Sequence, residues 1–368
     1  MKRATYVEIN TAHLRHNISA IMQLAAPSKV MAVVKANSYG HGIDVVPGLL
    51  KNEGVDFFAV AFADEAVALR QAGIDTPILV LVPGNSVDAG LFCIHGLHAL
   101  ASSMEFMKTL SAEARKHNTK IKVHLNVDTG MNRDGVPAAE IFDFYGELSK
   151  FDYLNVVGIC THFASSQEDL DFTSYQIKLF DETISKLKAM GCRFDYVHIA
   201  NSAGFLNFPE ARYDYIRPGI SLYGVLPRRY LYEKIDIKPA LSLKTKINFI
   251  KKIGVGESVG YDRLFKADKP TIVATVPIGY GDGYMKALQG KAHCLIRGKR
   301  FPLIGTVCMD QSMILIGGDE SVQYGDEVVL LGSQGSETIT AWELAKIAGT
   351  IPYEILTNLN CRIPRKYV

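Results

Sequence analysis

The chain has 368 residues, with 40 Lys and Arg against 38 Asp and Glu, a formal net charge of +2. That length predicts two domains, one of them large, and the near-neutral charge without a basic stripe argues against nucleic acid or an anionic membrane as partner. No apolar run approaches the ~20 residues that span a bilayer, no apolar segment follows the basic start "MKR" as in a signal peptide, and six scattered cysteines without CxxC pairing suit a reducing compartment, so the expected location is the cytoplasm.

Short β-branched runs alternate with longer amphipathic stretches through the first part of the chain. In chain order the predicted strands are Val30–Ala36, Phe57–Ala61, Pro77–Val82, His98–Ser102, Ile121–Asp128, Val156–His162, Tyr196–Asn201 and Tyr215–Tyr223. Between them the helical segments include Asp64–Ala72, Ser103–His117, Pro137–Lys150 and Tyr175–Met190. Ser102 or Ser103 suits an N-cap, Pro137 a first helical turn, and Gly191 a C-terminal stop. Eight β/α units in succession predict a closed (β/α)8 TIM-type barrel over residues 1–228, with an open doubly wound sheet as the alternative. The barrel is preferred because Lys35, Asp128, His162, Asn201 and Arg217 all fall at the C-terminal ends of strands, which ring one mouth.

After about Val225 the pattern changes. "PALSLKTKINFIKKI", "TIVATVPIGY", "AHCLIRGKRFPLIG", "SMILIG" and "DEVVLLG" read as strands divided by Gly, Asp and Pro turns. Residues 229–368 are therefore expected to form a smaller, mostly β domain, interrupted by a helix at Ala341–Ala348 with Thr340 as N-cap and Glu343 at the capping-box position.

Lys35 follows an apolar strand and precedes "ANSYGHG". In low dielectric such a lysine loses its proton more easily, and the neutral amine can attack a carbonyl. A phosphate site is expected near the seventh and eighth barrel strands. There "HIANSAG" offers the Ser202 hydroxyl and "RPGISLYG" offers the Gly219 and Ile220 N–H groups, with Tyr39 adding a phenol. A lysine, a phosphate cradle and an arginine near a ring nitrogen together describe a pyridoxal phosphate site. Asp128 and Asp310 lie far apart without His or Cys at ligand spacing, so no metal site is expected.

The segments "VVKANSYGHG", "VDTGMNRDG", "THFA", "HIANSAG", "RPGISLYG", "ESVGYD", "PIGYGDGY", "GTVCMDQ" and "IPYEIL" run in order from Val33 to Leu356. On these motifs the chain resembles the bacterial alanine racemases, fold-type III enzymes dependent on pyridoxal 5′-phosphate that interconvert L- and D-alanine for peptidoglycan. The resemblance implies that Lys35 holds the cofactor as a Schiff base and acts as one catalytic base. It implies that Tyr261 is the second base, delivered from the other subunit of a head-to-tail homodimer, with His162 and then Arg217 behind it. Arg217 is implied to face the pyridine nitrogen. Since a guanidinium cannot accept that proton, a short-lived carbanion and rapid reprotonation follow. Tyr39, Asn201, Ser202, Gly219, Ile220 and Tyr353 are implied cofactor contacts. Arg133 is implied to bind the cofactor's phenolic oxygen and the substrate carboxylate, the latter with the Met309 N–H, while Tyr280 and Tyr353 narrow the entrance for a small side chain.

Two departures from the family stand out. Many members carry a carbamylated lysine two residues before the Asp of "DTGM", where this chain has Asn126, so a chloride between Asn126 and Arg133 is expected. Thr306 stands where an entrance arginine is common. The alternatives are a serine or broad amino-acid racemase, a non-enzymatic carrier of the cofactor, a dead homologue and a decarboxylase on the same plan. The carrier lacks a second domain, the dead homologue would lack the two bases, and the decarboxylase typically has a carboxylate where Arg217 stands.

Overall fold

In the computed structural model, which describes residues 3–368, the chain divides into two compact units. One is the span Leu14–Ser38 with Gly42–Lys238. The other combines the chain up to His13, the short segment Tyr39–His41, and Pro239–Val368.

The first unit is the expected barrel. Its parallel strands are Lys29–Val33, Phe57–Val60, Ile78–Val80, His98–Ala101, Ile121–Asp128, Leu154–Cys160, Tyr196–His198 and Tyr215–Ile216. The last pairs with the first, Tyr215 opposite Lys29, and the fourth pairs with the fifth, Ala99 opposite Val123, so the ring closes. Several strands stop earlier than the sequence suggests. The eighth ends at Ile216, because Pro218 lacks a ladder donor and Ile220–Tyr223 winds into a 3-10 turn. The first ends at Val33, before Lys35 enters a different backbone conformation. The residues expected at strand ends therefore lie on the first loop residues beyond them, except Asp128, which ends its own strand.

Helix ends follow local chemistry. Ser103 caps Met104–Lys116 by accepting the Phe106 N–H. The helix expected from Tyr175 starts at Leu170, because Asp169 caps it through the Phe172 N–H at 2.9 Å; Gly191 follows its end at φ 92°. Pro137 is not in a helical turn. It pairs with Asp128 in a two-residue strand, and the helix begins at Ile141.

An aromatic cluster fills the end of the barrel where the strands begin. Phe57 lies edge-on to His98 at 5.2 Å, to Tyr196 at 5.2 Å and to Tyr215 at 5.6 Å, a favourable arrangement for aromatic rings. Beside it His124 is fully buried at mid-strand. A Cβ on Gly158, on the next strand, would come within 2.3 Å of the His124 ring nitrogen. Glycine is required there to leave the imidazole its space.

The second unit is mostly β. Its main sheet runs, in spatial order, Phe249–Ile253, Thr271–Val276, Ser312–Gly317, Lys299–Ile304, His293–Ile296, Glu327–Gln334, Leu241–Lys246, Tyr6–Ile9 and Arg365–Tyr367. The pairing is antiparallel except for the last pair, where Tyr6–Ile9 and Arg365–Tyr367 run parallel. The N-terminal strand therefore contributes to the same sheet as the C-terminus. Thr340 caps Ala341–Ala348 through the Glu343 N–H at 3.1 Å. The Glu343 carboxylate pairs with Arg300 at 2.7 Å instead of completing a capping box.

Replacing Gly158 with alanine is expected to displace His124 and lower stability by roughly 1–3 kcal/mol, as overpacking of a filled core does. Urea midpoints of the two proteins check this. Ala at the exposed, unobstructed Gly146 within the helix Ile141–Leu148 is the control and is expected to raise stability by up to about 1 kcal/mol.

Candidate active site

Lys35 opens a left-handed turn. Ala36, Asn37, Ser38 and Tyr39 have φ of 52°, 56°, 52° and 52°. Each residue with a side chain costs roughly 1–2 kcal/mol there, Asn least, so the turn persists only where its surroundings fix it. Glu65 is one anchor. One carboxylate oxygen accepts the Ala36 N–H at 2.6 Å, and the other accepts Ala61 N–H at 2.8 Å. Asn37 is another, since its side chain accepts the Ile43 N–H at 2.8 Å and its carbonyl the Gly42 N–H at 2.9 Å. The turn explains the sequence after Lys35: it reverses the chain immediately and leaves the lysine stem directed by the strand. Burial pushes the Lys35 amine below its ordinary pKa, Arg133 and Arg217 add to this, and Glu65 opposes it.

Arg217, just past the eighth strand, is buried at 5% exposure. Nη1 donates to the His198 carbonyl at 2.8 Å and to His198 Nδ1. Nη2 donates to the Thr161 carbonyl at 2.8 Å and to His162 Nδ1 at 3.0 Å. None of these bonds engages Nε. An arginine has no acceptor, so both imidazole Nδ1 atoms must accept. His198 then carries its proton on Nε2 and donates to His124 Nδ1 at 2.9 Å. His124 in turn donates from Nε2 to His98 Nδ1 at 3.0 Å. One guanidinium thus assigns the tautomer of four histidines, and His162 is left with an Nε2–H donor.

The histidines must be neutral for this chain to hold. Burial holds His162, His198 and His124 well below the usual histidine range, with Arg217 contributing to each. His98 is pushed down to about 3 by burial, then by Lys122 and Arg70. Only His162 of the four was expected as a functional residue. Alternation along "HLNVD" puts His124 on the same strand face as Asn126, and that signal could have found it.

Ser202 Oγ receives the Gly219 N–H at 3.0 Å and the Ser221 N–H at 3.3 Å, and pairs with Ser221 Oγ at 2.9 Å. Ile220 lies at the first position of the 3-10 turn, where a backbone N–H has no partner within the turn. Asn201 faces elsewhere. Its Oδ1 accepts from Gly204 N–H at 2.9 Å, Ala203 N–H at 3.2 Å and Ser166 Oγ at 2.9 Å. Asp128 is spent on its own turn, accepting from the N–H groups of Gly130, Met131 and Asn132.

Between Asn126 and Arg133 lies a carboxylate, that of Asp134, where the sequence suggested chloride. Its Oδ1 accepts from Asn126 Nδ2 at 3.1 Å and its Oδ2 from Arg133 Nε at 3.3 Å. The second hydrogen of the Asn126 amide goes to Ser102 Oγ at 3.0 Å.

In the second unit, Tyr261 is 70% exposed, Met309 54% and Tyr280 44%. Hydrogen bonds join their loops. Thr306 Oγ1 donates to the Tyr261 carbonyl at 3.0 Å, and the Tyr280 N–H donates to the Cys308 carbonyl at 3.0 Å. Gly279 lets these two loops touch, since a Cβ there would lie 2.0 Å from the Cys308 carbonyl oxygen. Asp282 fixes the Tyr280 turn from beneath. Its buried carboxylate takes two hydrogen bonds from Arg3, at 2.7 and 2.6 Å. Tyr39 packs 6.1 Å from Tyr353, and burial pushes the Tyr353 phenol up to about 12.

A closed parallel barrel with a half-buried lysine and arginines at its mouth, followed by a β unit, defines a two-domain barrel enzyme. Family profiles for the alanine racemase N-terminal and C-terminal domains match residues 9–227 and 240–367. A curated alanine racemase from Carboxydothermus hydrogenoformans is 42% identical, covering 100% of both chains. The crystal structure of an alanine racemase from Bacillus anthracis with bound L-Ala-P superposes with a TM-score of 0.95 at 35% identity, over 100% of this chain and 96% of that one. A histidine racemase from Leuconostoc mesenteroides reaches 0.91 at 29% identity, over 100% and 98%. The chain belongs to the alanine racemase family and is an isomerase acting on amino acids. The match over the second domain sets aside the one-domain carrier.

The four neutral histidines predict the acid response of the cofactor-free protein. A base whose pKa is lowered by folding binds fewer protons folded than unfolded between the two values, so its contribution is complete above about pH 6.5 and is lost as the pH falls. Each such histidine adds a slope of ~1.4 kcal/mol per pH unit in that window. Denaturant titrations between pH 7 and 5 are expected to show this loss, and His98→Asn, whose Oδ1 takes the place of the accepting Nδ1, to reduce the slope by about one histidine's share.

Proposed function

We propose that this chain interconverts L- and D-alanine with pyridoxal 5′-phosphate, by a two-base mechanism shared across a head-to-tail homodimer. The observation that carries the reading is Lys35: a lysine held by a left-handed turn, with its ammonium form disfavoured by burial and by Arg133 and Arg217. The donor set suits the cofactor. Lys35 offers an amine for a Schiff base. The Gly219 and Ser221 N–H groups both donate to the Ser202 oxygen, so the Ser202 hydroxyl and the backbone of Gly219 and Ile220 lie together, and these groups would hold the phosphate with Tyr39 and Tyr353 as further contacts. Asn201 would contribute its side-chain N–H groups, its oxygen being held by the turn. When bound, the cofactor acidifies the proton on the amino acid's Cα by acting as an electron sink.

The residues then divide the work. Arg133 and the Met309 N–H of the partner subunit bind the substrate carboxylate. Lys35 holds or accepts a proton on one side of Cα, and Tyr261 of the partner subunit does so on the other. An ordinary tyrosine has a pKa of about 10, so the phenolate needs a donor. The Nε2–H assigned to His162 is a donor of the required sense. Arg217 behind it cannot take a proton, so it presents a fixed positive field to the ring nitrogen and does not protonate it. Tyr353, with Tyr280 of the partner subunit, restricts the entrance. D-alanine made this way would serve peptidoglycan synthesis in the cytoplasm; among the described residues no helix is long and apolar enough to cross a membrane.

The histidine racemase relative favours a second reading, in which a larger side chain is also accepted, serine included. A methyl-sized difference in a pocket discriminates by about 10–200-fold, so ratios of kcat/KM for alanine, serine and histidine decide it.

In deuterated water with added cofactor, L-alanine is expected to lose its Cα proton and yield D-alanine on a chiral column. Lys35→Ala and Tyr261→Phe are each expected to be nearly inactive. Mixing and reassembling the two variants is expected to restore about a quarter of the sites, since half of randomly formed dimers carry one intact pair. No restoration in demonstrated mixed dimers would place both bases in one subunit.

A further inference from the structure

Arg133 reaches the mouth of the barrel on a half-exposed side chain, and a flexible cation there would bind a carboxylate poorly. Asp134 follows it directly in sequence. Ion pairs between such neighbours are ordinarily loose, but this one has a fixed base. Asn126 is 5% exposed, and its amide donates to Asp134 Oδ1 at 3.1 Å while also donating to Ser102 Oγ at 3.0 Å. Its carbonyl oxygen takes the Cys160 thiol at 3.7 Å. Every polar atom of the Asn126 side chain is therefore occupied, and its orientation is set. The turn after Asp134 lies directly on the Asn126 strand: a Cβ on Gly135 would approach the Asn126 carbonyl oxygen to 3.0 Å and the Asp128 nitrogen to 3.1 Å. The free oxygen of the anchored carboxylate receives Arg133 Nε at 3.3 Å. The charge also reaches inward: burial lowers the Arg217 pKa, and the Asp134 carboxylate is among the groups that oppose that lowering.

We propose that Asp134 is the positioning residue of Arg133, an internal carboxylate that occupies the place of a diffusible anion and aims the guanidinium at the ligand. Nε is held by Asp134, which leaves the two Nη groups as paired donors for a carboxylate. Asn126 serves by fixing the carboxylate and has no part as an anion site. The inference rests on the reading that Arg133 binds the substrate carboxylate.

The test uses the cofactor-loaded protein and its Asp134→Leu and Asp134→Asn variants, with KM and kcat for L-alanine measured in chloride-free buffer and again with added sodium chloride. Crystals of each are soaked in bromide. The unaltered protein is expected to be indifferent to chloride and to show no anomalous peak between Asn126 and Arg133. The variants are expected to raise KM roughly tenfold, as loss of a charge-assisted hydrogen bond does, with a smaller change in kcat. Asp134→Leu is expected to bind bromide at the vacated position and to recover part of its KM with chloride. Asp134→Glu is expected to recover most of the loss without chloride. A bromide peak beside the intact Asp134, or variants whose KM and Arg133 density are unchanged, would overturn the proposal. If the unaltered protein failed to racemise alanine, the functional reading would fall while the bromide and Arg133 density would still judge Asp134.

Discussion

A buried guanidinium without an acceptor is the constraint on which the barrel mouth depends. Arg217 can only donate, so every nitrogen facing it must accept. That condition fixes His162 and His198 directly and His124 and His98 through them. It also disfavours the charged form of all four imidazoles, which burial already lowers. A proton added to any of them would set two donors against each other beside a cation, inside a low-dielectric core. Gly158 belongs to the same arrangement, because the space over His124 is the space a methyl group would fill. The chain of donors runs from the mouth to the aromatic cluster at the opposite end, so His124 and His98, far from the mouth, bear on the hydrogen-bonding sense of the groups at it.

Lys35 sits in a complementary situation. Its backbone continues into four left-handed residues, a conformation that local preferences oppose, and Glu65 and Asn37 hold it there. The lysine is then close enough to Arg133 and Arg217 to be discouraged from carrying charge. Strain of this kind is sustained by surrounding hydrogen bonds and recurs where chemistry needs a side chain in one place. Glu65 has two effects of opposite sense: it fixes the turn, and its charge moderates the fall in the lysine pKa. Removing it would loosen the turn and depress that pKa further.

Much of this was legible in the sequence, and the rest failed for identifiable reasons. All eight barrel strands follow from short β-branched runs, because a strand buried on both faces must be apolar throughout. The motifs from "VVKANSYGHG" to "IPYEIL" carried the family. Pro137 misled because proline suits both a first helical turn and an edge strand, and the choice was made by its pairing with Asp128. The Tyr6–Ile9 strand escaped notice because only four residues are involved and their partners lie more than 200 positions away, at Leu241–Lys244. The turn that holds the Asn201 oxygen could not be read from the sequence, because its Ser166 partner lies 35 positions away. The histidine column was hidden because His98, His124 and His198 sit in separate motifs and meet only in the closed ring. Asp134 was hidden for the opposite reason: adjacent charges in sequence ordinarily pair loosely, and its fixing by Asn126 appears only in the fold.

The proton positions along the histidine column can be observed directly. Nitrogen-15 NMR of histidine-labelled protein at neutral pH, with ring nitrogens assigned by single His→Gln variants, reports tautomer and charge directly. The account predicts that His98, His124, His162 and His198 are all neutral, with the proton on Nε2 in each. A protonated Nδ1 on His162 or His198, or an imidazolium anywhere in the column, would contradict it, because Arg217 would then face a donor across a hydrogen-bond distance.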